Sequence, residues 1–413
     1  MSPFGRRSKN TSPPAGAASA GASQRYGFGY LAPSDVYLDS ACQTLRPQPV
    51  IDAMNEYFLT YNACGERVKY AWGIKVDDRV EATRAHVLKT LGLSSKQYTT
   101  CFTLNTTYAL NLLLTQLPAG RYARILTTHT EHNSVFLPTM AFAQRCGVPR
   151  LVMSRSDDGA LQYSPQDLAN AVVVISAMNN VDGTPTVGLA ELISETHKGG
   201  GIVIVDAAQA VPHALDMVRG LSADAVCFSA HKVYGASLGV VAAKNDLLAS
   251  LTPGFIGGGM VGTVSEESFC LLDDLHSRLE PGLQAWGEII ALDTALTWLE
   301  GYSKGAGEDL HTRERRLSQS LYDGILEAGN ATILGQRGSS LVTIVPTRVD
   351  GHQLAGFLSK AGIMVRSGYF CAHHWLKDVL QTGPAVRFSL GAHNTDDDIA
   401  RTLEVTQRLL KGL

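Results

Sequence analysis

From Tyr37 onward, short apolar runs alternate with longer stretches whose apolar positions recur at helical spacing. Residues 98–102, 123–127, 171–176, 201–206, 225–229 and 239–243 are largely β-branched or apolar, and most are bounded by turn residues. That is how strands covered on both faces read. Strands separated by amphipathic segments predict an α/β domain with a mainly parallel sheet, helices on its faces, and a site at the C-terminal ends of the strands.

Beyond about Gly287 the rhythm changes. A helical pattern through Ala291, Leu292, Leu296 and Leu299 leads into a charged segment at 308–316. After it, a smaller α+β domain is expected, with strands at 341–345 and 385–390 and a closing helix over 396–413. The chain thus divides into 25–287, an N-terminal arm with the large domain, and 288–413, the small one; it has no internal repeat. Residues 1–24 differ from both. Ser, Ala, Gly and Pro dominate there, Arg6, Arg7 and Lys9 carry the charge, and no acid occurs. This predicts a disordered tail, with an organellar transit segment as the alternative.

Composition narrows the partners. With 413 residues, 45% hydrophobic and 18% charged, the chain can bury a large core and form more than one domain. The net charge of −3 supplies no basic field for nucleic acid. No apolar stretch reaches the roughly 18 residues of a membrane span. The seven cysteines, at 42, 64, 101, 146, 227, 270 and 371, are scattered and never form C-x-x-C. They point to reduced thiols in a cytoplasmic setting rather than to a disulfide framework or a zinc ribbon.

The chemistry concentrates in two neighbouring segments, Val205-Asp206-Ala207-Ala208-Gln209 and Ser229-Ala230-His231-Lys232-Val233-Tyr234-Gly235. Lys232 lies between Val226-Cys227-Phe228 and the small residues Gly235, Ala236 and Ser237, where a buried amine has a depressed pKa. Such an amine can condense with the aldehyde of pyridoxal 5'-phosphate (PLP). Asp206 ends an all-apolar strand, so its carboxylate needs a positive partner, and a protonated pyridine nitrogen is one. Gln209 reaches the ring's phenolic oxygen if the chain has turned into a helix. Ser229 and His231 flank the lysine closely enough to donate to a phosphate.

Three further segments belong with these. Asn105, Thr106 and Thr107 follow a strand and open a helix, so N–H groups and hydroxyls face a bound anion; the plainer reading of Thr106 is an N-cap. His132, in Glu131-His132-Asn133, offers an imidazole to stack on the ring. Asn180 is placed to contact the ring or the substrate. Each is equally readable as an ordinary loop residue.

Asp-Ala-Ala-Gln followed by Ser-Ala-His-Lys-Val-Tyr-Gly resembles the class V aminotransferase family of fold-type I PLP enzymes, over nearly all of residues 37–413. Within it, Val365-Arg366-Ser367-Gly368-Tyr369-Phe370-Cys371-Ala372 is similar to the catalytic-cysteine loop of the cysteine desulfurase and selenocysteine lyase branch. The resemblance implies a large domain with a mainly parallel seven-stranded sheet and a smaller α+β C-terminal domain. It makes Lys232 the cofactor-linked lysine, Asp206 the partner of the pyridine nitrogen, Gln209 that of the phenolic oxygen, and His132 the stacking residue. Thr106, Ser229 and His231 become phosphate ligands, Arg387 the substrate-carboxylate ligand, and Cys371 the nucleophile that takes sulfur as a persulfide.

The implied reaction converts L-cysteine to L-alanine, with Lys232 moving the α-proton and a protein accepting the sulfur; a homodimer is implied too. An ordinary thiol, with a pKa of about 8.5, is only a few per cent thiolate at pH 7, so Cys371 needs activation, and His373 and His374 are nearby candidates. Adjacent histidines do not converge easily on one ion, which argues against zinc there.

Three segments depart from the pattern. Gly282-Leu283-Gln284 stands where Gly-Thr-Pro is usual, removing the hydroxyl expected to reach the partner subunit's phosphate. Gly65-Glu66-Arg67-Val68-Lys69-Tyr70 replaces a His-Arg-Gly-x-His run, and Tyr369-Phe370 replaces more polar residues before the cysteine. These leave open a related C–S lyase, a selenocysteine lyase or an epimerase on a modified amino acid. A true aminotransferase, which would leave Cys371 without a role, and a catalytically silent sulfur-relay or scaffold protein, disfavoured by Lys232 and Asp206, are the further alternatives.

Overall fold

The computed structural model describes residues 25–66 and 68–412, so the expected tail or transit segment at 1–24 lies outside the described residues. The large lobe is built on one sheet. Its strands are β1 (Tyr98–Thr103), β2 (Arg124–Thr128), β3 (Arg150–Arg155), β4 (Leu161–Gln162), β5 (Ala171–Ser176), β6 (Ile202–Asp206), β7 (Ala225–Ser229) and β8 (Gly239–Lys244). They lie in the order β1-β8-β7-β6-β5-β2-β3-β4. β8 is antiparallel to both its neighbours and β4 is antiparallel to β3; the remaining pairs are parallel.

The sheet therefore has eight strands where seven were expected, the extra one being the two-residue edge strand β4. β3 escaped the pattern of apolar runs because Arg150 and Arg155 bracket it and only Met153 within it is buried. The centre is easier to read. Every residue of β6 and β7 is buried, and side chains alternate between the two faces of the pleat. Val173, Ile175, Val203 and Val205 join one core cluster, while Val172, Val174, Ile202 and Ile204 join the other. Each such side chain contributes about 1.5–3 kcal/mol by leaving water.

The longer helices are α1 (Gln48–Thr60), α2 (Ala71–Leu91), α3 (Thr106–Gln116), α4 (Asn133–Cys146), α5 (Leu189–Lys198), α6 (Trp286–Ala306), α7 (Leu310–Ala328), α8 (Gly351–Lys360) and α9 (Asp396–Gly412). α6 is the helix expected from Ala291 to Leu299. It buries Ile289, Ile290, Leu292 and Leu296 and packs on α1 and α2.

The small lobe has an antiparallel sheet of β9 (Ala331–Leu334), β10 (Leu341–Pro346), β11 (Arg366–Gly368) and β12 (Ala385–Ser389), in the order β9-β10-β12-β11. Leu317, Leu321, Leu354, Leu358 and Ile399, from α7, α8 and α9, cover Val342, Ile344, Val386 and Phe388. The N-terminal arm ties the lobes together. Phe28 sets its ring edge-on to Trp298 of α6, and Arg25 pairs with Asp398 of α9 at 2.7 Å. Val36–Tyr37 then adds to Ile363–Met364 as a short parallel pair, which carries residues 39–42 into the junction of the lobes. Among the described residues, no helix is long and apolar enough to cross a membrane.

Candidate active site

Ser176, Asp206 and Ser229, the last residues of β5, β6 and β7, open onto a cavity of about 290 Å³. Asn105, Thr106, Thr107, His132, Asn180, Asp206, Gln209, Ser229, His231, Lys232, Cys371 and Arg387 all line it. The structure thus gathers these twelve side chains around one space.

Lys232 ends the 3-10 turn Ala230–Lys232 that follows β7. Tyr234, at φ +62°, re-aims the chain after the lysine. Its N–H donates to Thr44 Oγ1 at 2.9 Å, and its hydroxyl accepts from Ala392 N–H at 2.9 Å. Burial pushes the Lys232 ammonium pKa down, against an upward pull from Asp206, and Arg387 lowers it further. Asp206 is buried and accepts one hydrogen bond, from Ala208 N–H at 2.9 Å. Burial raises its pKa, which the Ala208 bond and Lys232 oppose. A cation beside this carboxylate would relieve its desolvation.

Gln209 Nε2 donates to Ala41 O at 2.8 Å, while its buried Oε1 has no partner among the described residues. His132 caps α4, its Nδ1 accepting from Ser134 N–H at 3.0 Å. Burial, then the charges of Lys232 and Arg387, push its pKa down to about 3, so the ring is neutral near pH 7. Burial with Lys232 and Arg46 takes His231 to about 4.

At the start of α3, Asn105 Oδ1 accepts from Tyr108 N–H at 3.0 Å, so the N-cap is Asn105 and not Thr106. Thr106 N–H donates to Ser229 Oγ at 3.0 Å, and the two hydroxyls meet at 2.6 Å. Thr107 and Ser134 hydroxyls lie 2.6 Å apart. These groups are the donor set of an anion site at a helix start. Gly239 abuts this loop so closely that a Cβ there would lie 2.6 Å from the Asn105 carbonyl carbon.

The small lobe supplies the other wall. Arg387, only 2% exposed, donates from Nη1 to Asn180 O at 2.6 Å and from Nη2 to Asp39 Oδ1 at 3.3 Å. Its Nε has no partner among the described residues. Asn180 positions the thiol loop, its Nδ2 donating to Phe370 O at 2.8 Å, and Asn133 N–H donates to Cys371 O at 2.6 Å. Phe370 and Cys371 both have positive φ, +46° and +58°. Phe370 is buried with its ring 5.0 Å from the Arg387 guanidinium, which accounts for an apolar residue before the cysteine.

His373 and His374 do not line the cavity. His373 Nδ1 lies 3.3 Å from Asn133 Nδ2, whereas His374 stacks on Phe136 and pairs with Asp378 at 3.1 Å. The expectation that either activates Cys371 directly finds no contact: no hydrogen bond joins either imidazole to the thiol among the described residues, His373 lying beside Tyr369 with ring centroids 5.6 Å apart and His374 opening the π-helical turn His374–Val379. Of the departing segments, Leu283 is 78% exposed and Glu66 N–H donates to Asp77 Oδ1 at 2.6 Å; neither residue lines the cavity.

Sequence reasoning missed Cys42 and Arg366 as cavity residues. Arg366 Nη1 donates to Cys42 Sγ at 2.8 Å and lies 3.6 Å from Asp39 Oδ2. The two-residue alternation of β11 would have put Arg366 on one face; no local signal marks Cys42. With Lys232, Arg366 and Arg387 around it, the cavity suits a phosphate and a carboxylate, and Asp206 suits a pyridinium. This donor set fits PLP.

The model of the family described as Aminotransferase class-V matches residues 36–402. A probable cysteine desulfurase of Vibrio cholerae is 32% identical over 383 residues, 89% of this chain and 92% of the relative. Among solved structures, the cysteine desulfurase CsdA of Escherichia coli, with an S-sulfonic acid, superposes with a TM-score of 0.83 at 26% identity, covering 94% of this chain and 98% of that one. The apo cysteine desulfurase of Thermococcus onnurineus superposes with a TM-score of 0.81 at 27% identity, covering 92% and 95%.

Proposed function

This chain belongs to the class-V aminotransferase family, and from that premise we propose that it is a PLP-dependent cysteine desulfurase. L-cysteine and the Cys371 thiol go to L-alanine and a Cys371 persulfide, whose sulfur passes to an acceptor protein. The observation that carries this reading is that Lys232, Arg387 and Cys371 line one cavity whose floor is Asp206.

Lys232 would hold the cofactor covalently. Asp206 would face the pyridine nitrogen, the second N–H of Gln209 Nε2 the phenolic oxygen, and the neutral His132 ring the cofactor face. Thr106, Ser229 and His231, with the neighbouring Asn105 and Thr107, would take the phosphate. When bound, PLP supplies an electron sink for the pair left on the substrate α-carbon.

The protein's own groups supply the rest. Arg387 binds the substrate carboxylate with a fixed fork. Lys232, its ammonium pKa lowered by burial, is suited to accept the α-proton and return it to the product. Cys371 Sγ attacks the substrate sulfur; a sulfur–sulfur bond forms as the carbon–sulfur bond breaks. The anchored carbonyls of Phe370 and Cys371 orient that sulfur.

Two copies per molecule belong to the same reading, supported by exposed apolar side chains at Phe255, Ile256 and Leu283. So does a cytoplasmic location, supported by seven free cysteines. The test is a single turnover of PLP-loaded protein with L-cysteine, measuring alanine and a one-sulfur adduct on the Cys371 peptide by mass spectrometry. Both should appear and both should vanish in Cys371→Ala. Bound PLP with neither product would refute the proposal.

A further inference from the structure

The cavity holds a second thiol that the proposed reaction does not use. Cys42 arrives on the N-terminal arm, far in sequence from the Cys371 loop, and the residue lines the same space. Its turn is clamped from three sides. Cys42 N–H donates to Asp39 O at 3.1 Å, Ala41 N–H donates to Ser389 Oγ at 2.9 Å, and Ala41 O accepts from Gln209 Nε2 at 2.8 Å. The sulfur itself accepts from Arg366 Nη1 at 2.8 Å.

Arg366 connects the two thiols. It stands five residues before Cys371 on the strand that leads to the thiol loop, and both sulfurs lie within reach of its charge and of Lys232. A guanidinium shared by two sulfurs can follow negative charge as it moves from one to the other. Arg387 lines the same cavity and its buried Nε has no partner among the described residues, so two guanidiniums, those of Arg366 and Arg387, stand in its wall with Lys232.

We propose that Cys42 is a second sulfur carrier, which takes the outer sulfur from the Cys371 persulfide; this rests on the desulfurase reading. The Cys42 thiolate attacks the outer sulfur. A bond forms between that sulfur and Cys42 Sγ, the bond to Cys371 Sγ breaks, and Cys371 leaves as the thiolate. The outer sulfur keeps its proton. One persulfide is consumed and one is made, so no oxidant or reductant enters, as in any thiol exchange. Cys371 is thereby freed for another turnover before an external acceptor arrives.

The experiment feeds sulfur-34 L-cysteine to the PLP-loaded enzyme without an acceptor, then quenches, alkylates and counts label on the Cys42 and Cys371 peptides by mass spectrometry. With one equivalent per chain, label should appear on Cys371 first and then move to Cys42. With excess cysteine the wild type should load two sulfurs, one on each thiol, whereas Cys42→Ala and Cys42→Ser should stop at one, on Cys371. Equal loading of wild type and both variants would overturn the proposal. So would a Cys42–Cys371 disulfide with release of sulfide, which marks attack on the inner sulfur. Absence of label from Cys371 in every protein would instead defeat the desulfurase reading itself.

Discussion

The buried pair Arg84–Glu280 is the most exposing test of how the site is supported. Glu280, with its side chain 1% exposed, receives Arg84 Nη1 at 2.6 Å and Nη2 at 2.7 Å, and a third bond from Phe102 N–H at 2.6 Å. Phe102 lies near the end of β1, just before the Asn105–Thr107 loop. Glu280→Ala takes away the two short bonds of the buried Arg84 guanidinium and leaves it the largely exposed Glu81, 3.0 Å from Nε, and Thr100 O; loss of the buried partner costs up to about 3–5 kcal/mol. It also strips Phe102 N–H of its acceptor, about 1–3 kcal/mol more. Arg84→Met should be similarly severe, because a buried carboxylate then remains. The double replacement Arg84→Met with Glu280→Leu should recover all but the cost of the unpaired Phe102 N–H, about 1–3 kcal/mol, since a well-packed apolar pair can replace a buried ion pair. Urea unfolding followed by tryptophan fluorescence reads all four proteins on one scale. If Glu280→Ala loses no more than the roughly 0.5 kcal/mol of a surface substitution, the reasoning is wrong.

Other outcomes follow from the same geometry. Gly239→Ala should push the Asn105 backbone away from the cavity and weaken PLP binding by about tenfold or more, one lost hydrogen bond's worth, in an absorbance titration; unchanged affinity would show that the loop yields freely. Acid should destabilise the fold through His132, His231 and His393, whose pKa values lie at about 3, 4 and 4 against 6.5 unfolded. Between those limits the unfolded chain binds more protons, so the melting temperature should fall as pH drops from about 6.5 towards 4 and stay flat, for these groups, above 7. His132→Gln should flatten part of that slope. Arg387→Lys forfeits the fork that faces Asn180 and Asp39, and kcat/KM for L-cysteine should drop about 10- to 100-fold, the value of a charged hydrogen bond; a change below twofold would remove Arg387 from substrate binding.

The parts of this protein that local sequence exposes are those whose neighbours along the chain decide their environment. β5 to β8 read as strands because almost every residue in them is apolar, and Asp206 and Lys232 stand out against such runs. β3 did not, since next to the edge its ends stay half-exposed and accommodate Arg150 and Arg155, and β4 is too short to carry a period. Thr106 reads as a cap, yet Asn105 takes that position because its backbone is still extended and its amide oxygen meets Tyr108 N–H, with Thr106 already inside the helix. His373 and His374 look close to Cys371 by number, but their contacts are with Asn133 and Tyr369 and with Phe136 and Asp378. Cys42 and Arg366 are invisible locally: 324 residues separate them, and only the docking of the arm against β11 brings the sulfur to the guanidinium.

The left-handed backbone at Phe370 and Cys371 has a mechanical meaning. Two adjacent non-glycine residues in that region each hold about 1–3 kcal/mol of strain, which persists only while the surroundings enforce it. The enforcement comes from the other lobe, through Asn180 on Phe370 O and Asn133 on Cys371 O. The thiol loop is therefore a spring wound by domain docking. Its sulfur points where it does only while the two lobes stay engaged, and any slackening between them is transmitted first to the direction of that one side chain.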